Sequence, residues 1–184
     1  PVILSLTPAN SSFDVSVPMT VSCVLATGPE HAALNTSTCF LTMDGVLQSG
    51  VVFTSSGFTF QPSGALTMDG PHTMRVFVRN VFNLSTLSIS NFTRDTTPPV
   101  ITPSNFLNGG SVTPGNPLIW SITDASTSVT DAVVRFDGGA FVSLTSQGGN
   151  LYAYAGLSYG PHTYEVRATD VLGHTRLHPG SFIV

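Results

Sequence analysis

Apolar and polar side chains alternate along much of this chain. In Pro18-Met19-Thr20-Val21-Ser22-Cys23-Val24-Leu25, the side chains of Met19, Val21, Cys23 and Leu25 share one face. In Leu118-Ile119-Trp120-Ser121-Ile122, Leu118, Trp120 and Ile122 do the same. Tyr164-Glu165-Val166-Arg167-Ala168-Thr169 interleaves apolar or small residues with charged or hydroxylated ones. A period of two belongs to half-buried β-strands, whose successive side chains point to opposite faces of a sheet. Turn signals separate the runs at Asp44-Gly45, Asp69-Gly70, Asn108-Gly109-Gly110, Asp137-Gly138-Gly139 and Gly148-Gly149-Asn150. No window carries a helical stripe. Short strands with turns about every 8–12 residues predict an all-β fold, an antiparallel β-sandwich with Greek-key connections.

The pattern occurs twice. Gly70-Pro71-His72-Thr73-Met74-Arg75-Val76-Phe77-Val78-Arg79-Asn80-Val81 lines up with Gly160-Pro161-His162-Thr163-Tyr164-Glu165-Val166-Arg167-Ala168-Thr169-Asp170-Val171. Upstream, Pro1-Val2-Ile3 matches Pro99-Val100-Ile101, and Phe40-Leu41-Thr42-Met43-Asp44-Gly45 matches Val133-Val134-Arg135-Phe136-Asp137-Gly138. Between the copies, Thr93-Arg94-Asp95-Thr96-Thr97-Pro98-Pro99 is expected to form a short, stiff Pro-rich linker, because proline fixes φ and pushes the residue before it toward extended conformations. The expected organisation is therefore two tandem β-sandwich domains, 1–95 and 96–184, each large enough to bury its own core. With no initiator Met and no leader-like start, the chain reads as a mature or excised piece of a longer array.

The stretch Tyr159-Gly160-Pro161-His162-Thr163-Tyr164-Glu165-Val166-Arg167-Ala168-Thr169-Asp170-Val171-Leu172-Gly173-His174, with Asp95-Thr96-Thr97-Pro98-Pro99 before its copy, resembles the immunoglobulin-like repeats strung along large bacterial and protist surface proteins. In that pattern a Gly and His turn leads into a strand of the form x-V-x-A-x-D, then a Gly-Asn or Gly-His turn and the last strand. The first copy departs from it with Asn80 for the Asp and Asn83 for the Gly. The resemblance implies immunoglobulin-like sandwiches on a cell surface, with neighbouring repeats of the same chain as partners.

Composition narrows the function. Of 184 residues only 9% are charged, the formal net charge is -4, all six basic residues are Arg, and Ser plus Thr make up about a quarter. Nucleic acid is excluded as a partner, since phosphate contacts need clustered Lys and Arg. Disorder is excluded by the 41% hydrophobic content, and no apolar run reaches the ~18 residues of a membrane span. The absence of Lys and the hydroxyl richness also resemble green-algal surface glycoproteins such as flagellar hairs or mating adhesins.

Four N-glycosylation sequons, at Asn10, Asn35, Asn83 and Asn91, all lie in the first copy. Asn83 is the best placed, in the expected turn before the last strand. Cys23 and Cys39 fall in two expected strands of that copy, aligned with Ile122 and Ala132 of the other. A disulfide replacing a core contact is expected in an extracellular setting, worth about 3 kcal/mol for a loop of this length. Two thiols are too few for a metal centre.

Other residues invite chemistry and lose to plainer readings. Gly156-Leu157-Ser158-Tyr159-Gly160 satisfies the G-x-S-x-G pattern, but Pro161 and a strand follow where a nucleophile elbow needs a helix. His72 and His162 recur at one turn and are expected to cap backbone groups there, and the spacing assembles no Asp-His-nucleophile set. His31, His174 and His178 are expected in exposed loops. Asp124, Asp131 and Asp170 with Asp95 raise calcium at a domain junction, but no D-x-D cluster exists, so solvated acids and no cofactor are expected. Phe58, Phe60, Tyr152 and Tyr154 could anchor a ligand, yet their i, i+2 spacing favours strand-face packing.

The leading expectation is a non-catalytic structural or adhesive repeat module of a large extracellular or cell-surface glycoprotein. Its partners would be neighbouring repeats, copies of itself or other surface proteins in an assembly such as a filament. The alternative is a module that binds a specific protein or glycan through its loops or an edge strand. An enzyme has the weakest case.

Overall fold

The computed structural model describes residues 1–26 and 31–184. The chain divides into two compact units, Pro1–Thr96 and Thr97–Val184. In the first unit the strands are β1 (Ile3–Thr7), β2 (Phe13–Asp14), β3 (Val21–Leu25), β4 (Phe40–Met43), β5 (Val46–Leu47), β6 (Gly57–Phe60), β7 (Gly70–Arg79) and β8 (Ser85–Arg94). They form two sheets, ordered β1-β3-β6 and β2-β8-β7-β4-β5. The second unit contains β9 (Val100–Pro103), β10 (Leu118–Thr123), β11 (Val129–Phe136), β12 (Val142–Ser143), β13 (Thr145–Gly148), β14 (Leu151–Tyr154), β15 (Pro161–Asp170) and β16 (Thr175–Ile183). Its sheets run β13-β14-β10-β9 and β12-β11-β15-β16. Strand pairs are antiparallel except β2 with β8 and the matching Ser111–Ile183 bridge. The all-β, tandem sandwich reading holds.

The alternating faces meet in the middle of each sandwich. In unit 1, Val21, Cys23, Leu25 and Phe58 pack against Leu41, Met43, Met74, Val76 and Val78. In unit 2, Leu118, Trp120 and Ile122 pack against Val134, Tyr164, Val166, Ala168 and Phe182. The copies fill the same space differently. Met43 pairs with Met74 where Phe136 pairs with Tyr164. The Trp120 ring meets Phe106 and Tyr164 edge-on, with centroids 5.3 and 5.5 Å away. Aromatic edges build the second core, and flexible thioethers fill the first.

The turn after the long central strand shows why Asn80 can stand for Asp170. In unit 2 the buried Asp170 Oδ1 accepts the N–H groups of Leu172 (2.8 Å) and His174 (3.0 Å). In unit 1 Asn80 Oδ1 accepts those of Phe82 (3.0 Å) and Leu84 (2.9 Å). Either side-chain oxygen satisfies the two donors of the turn. Gly173 and Asn83 then adopt φ of +92° and +63°, a region open to glycine and tolerated by asparagine.

Unit 1 adds a buried ion pair that unit 2 lacks. Arg94 Nη1 donates to Asp14 Oδ2 at 2.6 Å and to the Ser16 carbonyl at 2.8 Å, and its Nε donates to the Thr67 carbonyl at 2.9 Å. The pair is buried on both sides and pins β2 to the end of β8. Removing one partner leaves the other charged and dry. Arg94→Met is expected to destabilise unit 1 by about 3–5 kcal/mol in denaturant titrations, and Arg94→Met with Asp14→Leu to recover part of that loss.

Candidate functional site

The Gly-Pro-His-Thr segment that marks the repeat sits in each unit against an Asp-Gly turn. In unit 2, β11 is followed by a turn at Asp137 and Gly138, both with positive φ. Asp137 Oδ1 accepts the Thr163 N–H at 2.8 Å, the Asp137 N–H donates to the Thr163 carbonyl at 3.1 Å, and His162 Nδ1 lies 2.7 Å from Asp137 Oδ2. His162 Nε2 lies 3.0 Å from the Ser158 carbonyl. Unit 1 repeats every contact. Thr73 N–H donates to Asp44 Oδ1 at 2.7 Å, Asp44 N–H to the Thr73 carbonyl at 2.8 Å, and His72 bridges Asp44 Oδ2 (2.7 Å) and the Met68 carbonyl (2.8 Å). Each imidazole packs on a core phenylalanine, His72 on Phe92 and His162 on Phe182. The expectation that this histidine caps backbone groups at a turn is met in both copies.

One expectation is corrected. Sequence spacing assembled no Asp-His-nucleophile set, yet Ser158 Oγ lies 3.4 Å from His162 Nε2, in line with Asp137 beyond it. Position 158 is four residues before the histidine and Asp137 is 25 residues away, so only the corner's fold brings the three together. The chemistry of the contacts speaks against a catalytic role. A carbonyl oxygen only accepts, so the closer partner of Nε2 requires that nitrogen to donate, and the carboxylate requires Nδ1 to donate as well. Hydrogen bonding to Asp137, then to the Ser158 carbonyl, holds the His162 pKa above its ordinary value, favouring the imidazolium. The same bond and that from Thr163 lower the Asp137 pKa. A general base for serine needs a free Nε2 lone pair. The neighbouring cleft, about 450 Å³, is lined by Gly109, Asp137, Pro161, His162, Thr163 and Phe182, and Ser158 is not among its lining residues.

Cys23 and Cys39 belong to one core cluster, but both are free thiols, so the expected bridge is not formed here. The Cys39 sulfur is occupied within its own sheet, accepting the Arg79 N–H at 3.5 Å with the Asn35 carbonyl 3.4 Å away. Burial pushes the Cys23 thiol up to about 11, which makes it unreactive at neutral pH. Among the sequons, Asn10 Oδ1 accepts the Asn91 N–H, Asn91 Oδ1 accepts the Thr73 hydroxyl, and Asn35 Oδ1 accepts the Ser37 hydroxyl. Asn83 projects from the β7–β8 turn and is exposed.

Of the acids considered for calcium, Asp124 Oδ1 accepts the N–H groups of Ser126 and Thr127, Asp131 faces Arg167 at 3.6 Å, and Asp170 takes the two turn donors described above. His174 and His178 are not exposed loop residues as expected. His174 Nδ1 lies 2.8 Å from Asp170 Oδ2, and His178 is half-buried in β16, stacked on Tyr164. Burial, then Arg176, pushes the His178 pKa down. Phe58 is buried, and Phe60, Tyr152 and Tyr154 pack on the cores from their strand faces.

No family model matches the chain, and no curated protein matches it. Solved structures do. The chain is similar over its full length to the immunoglobulin domains 1–4 of Sidekick-1, with TM-score 0.54, 14% identity and 48% of that chain covered. Over 97% of its length it is also similar to protocadherin extracellular domains. These are the gammaB7 EC3-6 cis-dimer, with TM-score 0.51, 11% identity and 47% covered, and Gamma B2 domains 3–6, with TM-score 0.50, 10% identity and 46% covered. The fold is immunoglobulin-like. The chain spans about half the length of each of these three.

The corner and β16 make the stability of unit 2 depend on pH in opposite directions. A histidine with a raised folded pKa stabilises fully below its unfolded value and loses that contribution as pH rises through the folded value. One with a lowered folded pKa makes stability fall as pH drops below its unfolded value. Both references lie near 6.5, so the two contributions to unit 2 sum to a maximum there. Thermal melts across pH should lose their alkaline fall in His162→Gln and their acid fall in His178→Gln. Ser158→Ala should change stability by less than about 0.5 kcal/mol, and neither it nor the parent should hydrolyse an ester probe above a buffer control.

Proposed function

We propose that this chain is a pair of non-catalytic structural or adhesive repeat modules from a large extracellular or cell-surface glycoprotein. The observation that carries the reading is what the two copies share and what they do not. The Asp–His corner and the side-chain oxygen of Asn80 or Asp170 that accepts two turn N–H groups repeat in both copies, while sheet edges and outer faces differ. Selection for a unit that stacks in series retains the internal braces and frees the surface. Sidekick-1 and the protocadherins, whose structures contain four such domains in series, support a serial module by fold alone.

The finer parts rest on residues. Four sequons and a hydroxyl-rich, Lys-free surface support a glycoprotein of the green-algal surface type, with Asn83 the most accessible attachment point. A second reading, a specific binding module, is favoured by the outer face of the five-stranded sheet of unit 1, where Phe40, Leu87 and Ile89 are exposed. Neither reading calls on a cofactor.

Peptide mapping of the parent protein from its native source, non-reduced and with or without deglycosylation, tests the glycoprotein reading. A glycan on Asn83 is expected. Bare asparagines would contradict it.

A further inference from the structure

The C-terminal strand of each unit is paired along its length on one side and only partly on the other, in β8 by β2 at Thr93 and Arg94, and the two copies treat the uncovered part differently. In β8 the direction of the backbone groups is fixed by their partners. Asn91 donates its N–H to Asn10 Oδ1 (3.0 Å) and accepts the Ser11 N–H (2.6 Å), and Thr93 donates to the Ser12 carbonyl (3.0 Å). The odd-numbered residues therefore direct N–H and C=O away from β7, and strand geometry extends this to Ser85, Leu87 and Ile89. Among the described residues none takes up these groups on that side. Their side chains, two of them large and apolar, are exposed on the sheet's outer face, Leu87 at 54% and Ile89 at 43%.

The corresponding edge of unit 2 is closed by its own sequence. Ser181 donates to Asn108 Oδ1 and accepts from Gly109, so Leu177 and Pro179 take the outward direction. Pro179 pairs with Glu165 as Ile89 pairs with Arg75, and it has no N–H to offer. The adjoining face is ionic, with Arg135–Glu165 at 2.8 Å and both Arg135 and Arg167 over the Phe141 ring. In unit 1 the row Phe40–Phe77–Leu87, with the two phenyl rings stacked at 5.0 Å, stands where unit 2 has Val133–Arg167–Leu177, and Thr42–Arg75–Ile89 stands where it has Arg135–Glu165–Pro179. Unit 1 thus has an open backbone edge beside an apolar row, where unit 2 has a proline beside salt bridges.

We infer that the free edge of β8, Ser85–Ile89, pairs antiparallel with the same edge of a second copy of this chain, centred on Leu87. The strand itself selects that occupant. From Ser85 to Asn91 it carries no charge, so a two-fold pairing brings no like charges together. Centred on Leu87, it sets Leu87 opposite its own copy and Ser85 opposite Ile89. The row Phe40–Phe77–Leu87 then continues into its counterpart, the self-complementary arrangement that a two-fold interface requires. The inference goes beyond the repeat-module reading and stands without it, since it needs only the edge.

The test is the association state of the unglycosylated 184-residue chain, measured by sedimentation velocity across a hundredfold concentration range. A reversible dimer is expected. Ile89→Pro copies unit 2, removes no bond to β7, and should weaken the dimer by at least about tenfold with the melting curve kept. Leu87→Lys should do the same through the face. Leu177→Lys, the matching change in unit 2, should leave the dimer intact. In a hydrogen-bonded antiparallel pair the Cα atoms lie about 5.5 Å apart, within disulfide reach. Leu87→Cys should therefore give, on mild oxidation, a peptide in which the introduced thiols of two chains are linked to each other. A monomer at the highest concentration would overturn the inference, as would a dimer indifferent to both Ile89→Pro and Leu87→Lys. Capture of a foreign acidic strand by Arg75 and Arg79 in place of self-association would overturn it too. None of these outcomes bears on glycans or on the native thiols, so the module reading fails or survives separately.

Discussion

Each sandwich depends on one carboxylate at a corner. Where β4 or β11 turns back and β7 or β15 begins, chain direction changes next to the core, and a histidine ring that needs partners for its nitrogens is packed there with only 7% (His72) or 11% (His162) of its side chain exposed. Asp44 and Asp137 meet that need with both oxygens, one taking a threonine N–H and the other a histidine ring. The histidine reaches on to a carbonyl in the preceding segment and lies against a core phenylalanine. One side chain thus ties a turn, a strand start and a loop to the core. A nearly buried ring nitrogen without a partner costs more than a typical hydrogen bond gains, so the carboxylate and carbonyl that serve the imidazole repeat while core volumes do not.

The same corner explains the resemblance to a catalytic triad. Ser158, His162 and Asp137 stand in the order of a hydrolytic relay, but the bond from Nε2 to a main-chain carbonyl consumes the lone pair that a relay requires. In unit 1 Met68 stands at the position of the serine, and the histidine keeps both structural contacts. The hydroxyl is the variable member and the brace is the constant one.

Much of this was legible in the sequence, for physical reasons. Period-two alternation around Val21–Leu25 and Leu118–Ile122 reports half-buried strands directly, and the recurring Gly-Pro-His-Thr after an Asp-Gly turn reported two copies. What could not be read depends on contacts distant in sequence. Arg94 and Asp14 meet across 80 residues, through a two-residue parallel strand that no periodicity reveals. His178 was misplaced because its loop-like neighbours Pro179 and Gly180 lie within a regular strand. Cys39 looked ready to bridge the core, but its sulfur bonds within its own sheet. Whether Ile89 or Pro179 borders an open edge depends on sheet order, which the strands' own sequences do not state.

The central claim is that the repeated histidine is a doubly donating brace. Nitrogen-15 NMR of the imidazole rings tests it most directly. The account predicts that, at about pH 6, below the ordinary histidine value, His162 shows two protonated ring nitrogens, with slowly exchanging N–H signals correlated to Asp137 and to the Ser158 carbonyl. A neutral ring with an unprotonated Nε2 directed at Ser158 Oγ would contradict it and return the Ser158, His162 and Asp137 set to consideration as a working nucleophile.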